Sequence, residues 1–355
     1  MLSQYDSNVQ RVPVDAGAGS WINQASLLAG FDQTYSRQHV FATAEVARFV
    51  YEKFSVYDYT HENLRAGWHM NLPDSANAEV DLTRTVDLAR FADLNSTLRD
   101  VISTDRVHAT VDFPVATYWR PVADVDAART RNSSGFETEA DLNTVQADAG
   151  IRYRTGSENQ VDLVVRGLRG TYPESQPATP AQALVSSYRE RAVDLRVKWK
   201  FSGASTLFGH VGYMQRRNDL STFPNFGGPA YDMTYLWQPT VRTSVALLVL
   251  RQMGATGDNQ YLSSVTHTYR LTPAYAVTEK IKIQPQFEYS HYDFLSLPNV
   301  PHLNFDVPNA ALFVTWSPQR WLQVKLGQTW EHRTANLPIY DYLDRLSSLL
   351  LQATF

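Results

Sequence analysis

The sequence predicts an all-β fold: a transmembrane up-and-down antiparallel β-barrel of 18 strands (alternatively 16), in one domain over residues 1–355. Three observations predict it. Apolar and polar residues alternate with a period of two, as in Val193, Leu195, Val197, Trp199 and Phe201 against Ala192, Asp194, Arg196, Lys198 and Lys200. That period belongs to a strand, not a helix. No stretch reaches the roughly 18 apolar residues of a membrane helix, whereas a tilted strand crosses a bilayer in about 9–11 residues. The links between strand segments alternate short and long, which is the pattern of outer-membrane barrels.

Taken in order, the strand segments are 2–9, 21–34, 38–51, 59–72, 76–90, 101–115, 118–131, 139–155, 159–172, 187–201, 205–218, 230–237, 241–253, 262–276, 280–294, 304–316, 321–333 and 341–355. Within 59–72, Leu64, Ala66, Trp68 and Met70 alternate with Asn63, Arg65, Gly67 and His69. Within 101–115, Val107, Ala109, Val111 and Phe113 alternate with His108, Thr110 and Asp112. In 280–294 the apolar set is Ile281, Ile283, Phe287 and Tyr289. Short turns fall at 35–37, 73–75, 116–117, 156–158, 202–204, 238–240, 277–279 and 317–320. The longer loops include 173–186, 219–229, 295–303 and 334–340. Counted from the C-terminus, each short turn follows an even strand, which puts both termini on the periplasmic side.

Composition agrees. The chain has no cysteine, 43% hydrophobic residues and a net charge of −4, which fits an exported barrel and argues against a nucleic-acid partner. It opens Met1-Leu2-Ser3-Gln4 with no charged and apolar leader, as in a mature exported form or a cytosolic chain. Trp68, Trp119, Trp199, Trp237, Trp316 and Trp321 sit near short turns, and Tyr51, Tyr59, Tyr172 and Tyr188 near long loops. They are expected to form two interfacial girdles. The apolar C-terminal stretch ending in Phe355 resembles the C-terminal signature of bacterial outer-membrane barrels. A barrel this wide cannot be filled by side chains, so a polar, water-filled lumen is expected.

Several phrases resemble the EpsL-type outer-membrane barrels of exosortase-associated exopolysaccharide loci. They are Tyr35-Ser36-Arg37-Gln38, Gly209-His210-Val211-Gly212-Tyr213 with Arg216-Arg217, Phe226-Gly227-Gly228-Pro229, and Tyr235-Leu236-Trp237-Gln238-Pro239-Thr240. The resemblance runs from about residue 20 to the C-terminus. It implies an outer-membrane channel that exports an exopolysaccharide, most simply as a monomer. Its implied partners are outer-membrane lipid, a periplasmic polysaccharide export protein and an inner-membrane co-polymerase. It implies no catalytic residue, metal or cofactor. The alternatives are a general or solute-specific uptake porin and a barrel hydrolase.

Charge is uneven along the chain. Residues 1–177 hold 24 acidic and 16 basic side chains, and the remainder 12 and 16. The expected lumen-lining acids are Glu79, Asp81, Asp87, Asp112, Asp124, Asp126 and Asp148. The expected bases are Arg65, Arg196, Lys198, Lys200, Arg216, Arg242, Arg270, Lys282, Lys325 and Arg333. Sequential strands are neighbours in such a barrel. An acidic wall could therefore oppose a basic one across the pore, or the charges could simply pair between adjacent strands. Loops 173–186, with Pro173, Pro177 and Pro180, and 219–229, with Phe223 and Phe226, are candidate gates. No linear catalytic motif is present: His61-Glu62-Asn63-Leu64-Arg65 lacks the second histidine of a zinc helix. His267 beside Ser263, Ser264 and Thr266 is the nearest candidate for a hydrolytic site.

Overall fold

The computed structural model describes residues 1–13, 16–72, 75–91, 97–134, 140–157, 159–174, 186–219, 225–255, 261–296 and 300–354. Eighteen strands follow one another: β1 (Leu2–Asp6), β2 (Ser20–Tyr35), β3 (Gln38–Tyr51), β4 (Tyr59–Asn71), β5 (Asn77–Leu88), β6 (Val101–Asp112), β7 (Trp119–Asn132), β8 (Leu142–Arg154), β9 (Gln160–Thr171), β10 (Ser187–Ser202), β11 (Ser205–Asn218), β12 (Phe226–Trp237), β13 (Thr243–Ala255), β14 (Tyr261–Ala276), β15 (Ile281–Ser296), β16 (Leu303–Gln319), β17 (Leu322–Ala335) and β18 (Tyr342–Ala353). Every strand segment expected from the period appears, in order. Each pairs antiparallel with its sequence neighbours, and β1 joins β18 to β2, so the sheet closes on itself. Among the described residues no helix is long and apolar enough to cross a membrane. Closure is what lipid demands, because an open edge would leave backbone amides without partners.

Several boundaries differ from expectation by a few residues, and two of these shifts move residues expected at the lumen or in a loop. β12 starts at Phe226 rather than 230, because its register against β11 runs on through Tyr213↔Pro229 to Arg216↔Phe226. Pro229 is tolerated there because pairing with β13 begins only at Tyr231, so its missing N–H removes no ladder bond on that side. Phe226 is therefore a strand residue and not part of a loop. β13 starts at Thr243, and Arg242 lies exposed in the preceding turn rather than on the wall. The Thr240 hydroxyl holds that turn by accepting from the Arg242 and Thr243 amides at 3.2 and 3.0 Å.

Closure at the first strand is only partial. Residues 2–6 pair with both Leu346–Leu350 and Ser20–Gln24, whereas β2 from Ala25 to Tyr35 pairs only with β3. Among the described residues nothing covers that edge, and every residue from 25 to 35 is exposed.

The two faces of the wall separate cleanly. Leu163, Val165, Val193, Leu195, Val211 and Tyr213 project outward and are exposed, whereas the alternating Asp162 and Asp194 are each only 1% exposed. Outward aromatics gather near the short turns: Trp68, Trp119, Trp237, Trp316 and Trp321 are all exposed. Tyr51, Tyr59 and Tyr188 are instead buried inside the barrel. The outer aromatics nearer the long loops are Trp21, Tyr213, Tyr269, Tyr289 and Trp330, all exposed.

Gly209 has φ +141, and a Cβ there would collide with the carbonyl of Asp232 on β12. Gly209→Val is therefore expected to block the β11–β12 ladder. Loss of the heat-modifiable, faster-migrating folded band on cold SDS gels is the expected readout, and normal migration would refute the assignment.

Candidate functional site

The interior of β6–β10 carries a lattice of alternating arginines and aspartates. Asp112 on β6 pairs with Arg120 on β7 and, at 2.7 Å, with Arg152 on β8. Arg152 continues to Asp162 on β9 at 2.9 Å. Arg196 on β10 reaches Asp124 on β7 at 2.6 Å and also meets Asp148 on β8. Arg166 on β9 lies between Asp148, at 3.5 Å, and Asp194 on β10, at 2.9 Å. Arg106 holds Asp126 at 2.5 Å, with His108 at 3.6 Å from the same carboxylate. Apart from the half-buried Asp126, these aspartates are nearly inaccessible, yet the lattice borders an open niche of about 260 Å³ that includes His108, Arg152, Arg196 and Lys198. Buried carboxylates are tolerable only when paired, and here each is.

This arrangement removes the picture of an acidic wall facing a basic one. Arg196 belongs to the basic half of the sequence and Asp124 and Asp148 to the acidic half, but the curvature of β7–β10 brings them into direct contact across β9. The charges mostly pair with nearby strands. Farther round, Arg65 pairs with Asp81 at 3.0 Å and Arg270 with Glu288, and Lys325 lies 4.2 Å from the Phe313 ring centre. Glu79, Lys200 and Lys282 alternate onto the same interior face by register with Thr110, Thr206 and Thr315. His69, Glu79 and Asp81 bring donor atoms within 4.8 Å of one another on β4 and β5. That trio could hold a cation, but Arg65 and His69 already attend Asp81.

The long-loop end of the interior is apolar and aromatic, and sequence reasoning missed what fills it. The β1–β2 loop, a one-turn 3-10 helix at Ser55–Tyr57 and the start of the β5–β6 loop fold inward. There Val9, Tyr57 and Phe91 pack on Ile22, Tyr51 and Tyr59 of the wall. The Tyr57 hydroxyl receives a bond from Gln10 and donates one to the Thr97 carbonyl, both 2.6 Å. Beside this cluster lies a cavity of about 160 Å³ lined in part by Asp6, Arg11 and Tyr59.

Arg11 fastens the first of these loops. Its guanidinium donates to both oxygens of Asp6 at 3.0 Å, reaches Asp344 at 2.9 Å and Glu331 at 4.0 Å, and lies over the Tyr342 ring. Burial works against its charge, but Asp6, Asp344 and Glu331 more than offset that and raise its pKa above the ordinary guanidinium value. Asn8, 3% exposed, ties the loop to Val12 and Leu343. Two more arginine–aromatic stacks line the mouth. Arg216 lies 4.0 Å from the Tyr188 ring centre and 5.2 Å from that of Phe226, and its Nε donates to Glu190 at 2.6 Å. Arg333 lies between Phe305 and Tyr342. The advance signals for this mouth were Arg216, Arg333 and Phe226, expected at the lumen or a gate, and the tyrosines at the long-loop ends, which were expected in the outer girdle.

Of the residues expected to gate, Pro173 begins the β9–β10 loop in a turn, and Phe226 lies under Arg216. Pro177, Pro180 and Phe223 lie outside the described residues. His267 faces outward towards His291. Thr266 and Ser264 alternate onto the opposite face, and among the described residues no serine hydroxyl bonds to the His267 ring.

Comparison with known proteins agrees with this geometry. The family "Putative beta-barrel porin 2" matches residues 185–354, just under half of the chain. Solved porins of Pseudomonas aeruginosa superpose over nearly all of it. OccK2 (OpdF), solved in complex with glucuronate, has a TM-score of 0.54 at 9% identity, covering 100% of this chain and 96% of that one. OccK9 (OpdG) gives 0.53 at 11%, covering 99% and 96%. OpdK gives 0.51 at 12%, covering 99% and 97%. The fold is that of an outer-membrane porin. Identities this low carry the fold and nothing finer. No curated protein matches the chain.

Proposed function

We propose that the chain is an outer-membrane channel, not an enzyme, that lets small hydrophilic solutes diffuse into the periplasm. The observation that carries this reading is a closed barrel whose outer wall is apolar and whose inner wall is an ion-paired polar lattice beside open space. Fixed charges on low-dielectric walls concentrate and orient hydrated solutes. OccK2, a porin of the same fold, binds glucuronate, which makes small sugar acids the first solutes to try. The protein in planar bilayers should give discrete ohmic conductance steps, and liposomes containing it should swell in small sugars but not in large oligosaccharides. A folded barrel that neither conducts nor swells liposomes would refute the reading.

Export of an exopolysaccharide, with a periplasmic export protein and an inner-membrane co-polymerase as partners, is the second reading. It rests on the EpsL-type phrases and on inward aromatics such as Tyr188, Phe226 and Phe305, whose faces suit sugar rings. Loops packed into the mouth favour the small solute over the polymer. A deletion strain that accumulates polymer in its periplasm would reverse that order.

A further inference from the structure

The outer face of β9–β11 carries charge that the protein itself does not neutralise. Register sets Arg169 opposite Arg189, and Arg189 opposite Arg217, so three guanidinium side chains stand abreast on adjacent strands near the long-loop end. All three residues are exposed, as is Arg191 one row below, between Gly167 and Gln215. A Cβ on Gly167 would meet nothing within 4 Å, which leaves a notch beneath the row. Next down the same face come Val165, Val193 and Tyr213, then Leu163, Leu195 and Val211, all exposed.

Like charges directly opposite one another weaken a β-ladder. Some arginines elsewhere on this end of the outer face have acids, although Arg129, Arg251 and Arg345 form no ion pair among the described residues. Arg84 lies between Glu62 and Asp105 at 3.2 and 2.8 Å, and Arg131 is 3.5 Å from Asp141. Among the described residues no carboxylate pairs with Arg169, Arg189, Arg191 or Arg217. At the rim, Asp219 accepts from Ser186 and Ser187, and Glu190 faces inward onto Arg216.

We propose that this row is a binding site for the phosphate groups of an anionic membrane lipid, whose acyl chains lie on the apolar rows beneath. Neighbouring side chains across a ladder stand about 5 Å apart, so adjacent guanidiniums can share one phosphate, each offering a bidentate fork. The apolar rows begin two ladder rows below the arginines, about 13 Å at the rise of a strand. A headgroup would therefore meet the charges while its chains stay in hydrocarbon. That continuity favours an amphiphile over free phosphate.

The test is native mass spectrometry of the barrel in non-ionic detergent, titrated with diphosphoryl lipid A, with its dephosphorylated form, and with inorganic phosphate as competitor. The phosphorylated lipid should be retained. R169Q/R189Q/R217Q should weaken retention on the order of 100-fold, given about 1 kcal/mol per basic residue at a membrane surface. The corresponding triple lysine variant should fall between. Removing like charges should leave the folded, heat-modifiable band intact, and R189Q alone serves should the triple variant fail to fold. Equal retention by R189Q and wild type, or equal retention of the dephosphorylated lipid, overturns the proposal. Displacement of the lipid by millimolar inorganic phosphate would assign the row to a free anion and overturn the lipid.

Discussion

Arg11→Gln should raise the single-channel conductance and lower the stability of the barrel by about 3–5 kcal/mol, the usual cost of removing one partner from a buried ion pair. The Arg11 side chain is 18% exposed, and its partners Asp6 and Asp344 are 8% and 4% exposed. Glutamine can donate to one of these acids but cannot neutralise either. The penalty then has two outlets. Either the acids stay buried and unpaired, or the loop leaves the wall so that water reaches them. Both destabilise, and the second widens the mouth because the same loop carries Val9 into the aromatic cluster. Arg11→Lys keeps the charge but, as a point donor, cannot span the carboxylates as the planar fork does, so it should fall between. Bilayer conductance and urea unfolding check the result together. Wild-type values in both would mean that Arg11 fastens nothing.

Arg166→Met should cost a similar amount and shift ion selectivity towards cations. Asp194, whose side chain is 2% exposed, has Arg166 as its ion-pair partner, and Asp148 would keep only Arg196. Methionine fills the space of the stem but leaves Asp194 buried without a counter-charge. Adding Asp194→Asn removes that charge and should restore much of the loss, since neutralising a whole buried pair costs far less than breaking it. The double-variant comparison separates an electrostatic role for Arg166 from simple packing. Reversal potentials across a salt gradient measure the selectivity. Selectivity unchanged in the single variant would mean that Arg166 lies off the conducting path.

How much of this was legible in the sequence differs by feature. The alternation in 187–201 names β10 and its inner face directly, because a strand's two faces depend only on residue parity. Asp124, Asp148 and Arg196 were recognisable as inward residues for the same reason. Their mutual contact was not, because it depends on the curvature of four strands and on side chains 48 and 72 residues apart. Arg242 was misplaced by two residues because a Thr-capped turn and a strand start read alike in the apolar pattern. Tyr51, Tyr59 and Tyr188 were assigned to the outer belt because an aromatic at a strand end suits either face. What decided against lipid was Tyr57, Phe91 and Arg216 waiting on the inside.

The sequence by itself determined the strand segments and their order, the face of side chains within the strands though not of the aromatics at their ends, and the side on which the turns are short. These follow from a period of two and from turn chemistry, which are local and repeat along the chain. Tertiary structure alone decided which charges meet, which loops fill the mouth, that β1 covers only part of β2, and that Arg169, Arg189 and Arg217 stand abreast. Each of those depends on the register of one strand against another, and loops have no period from which their path could be read.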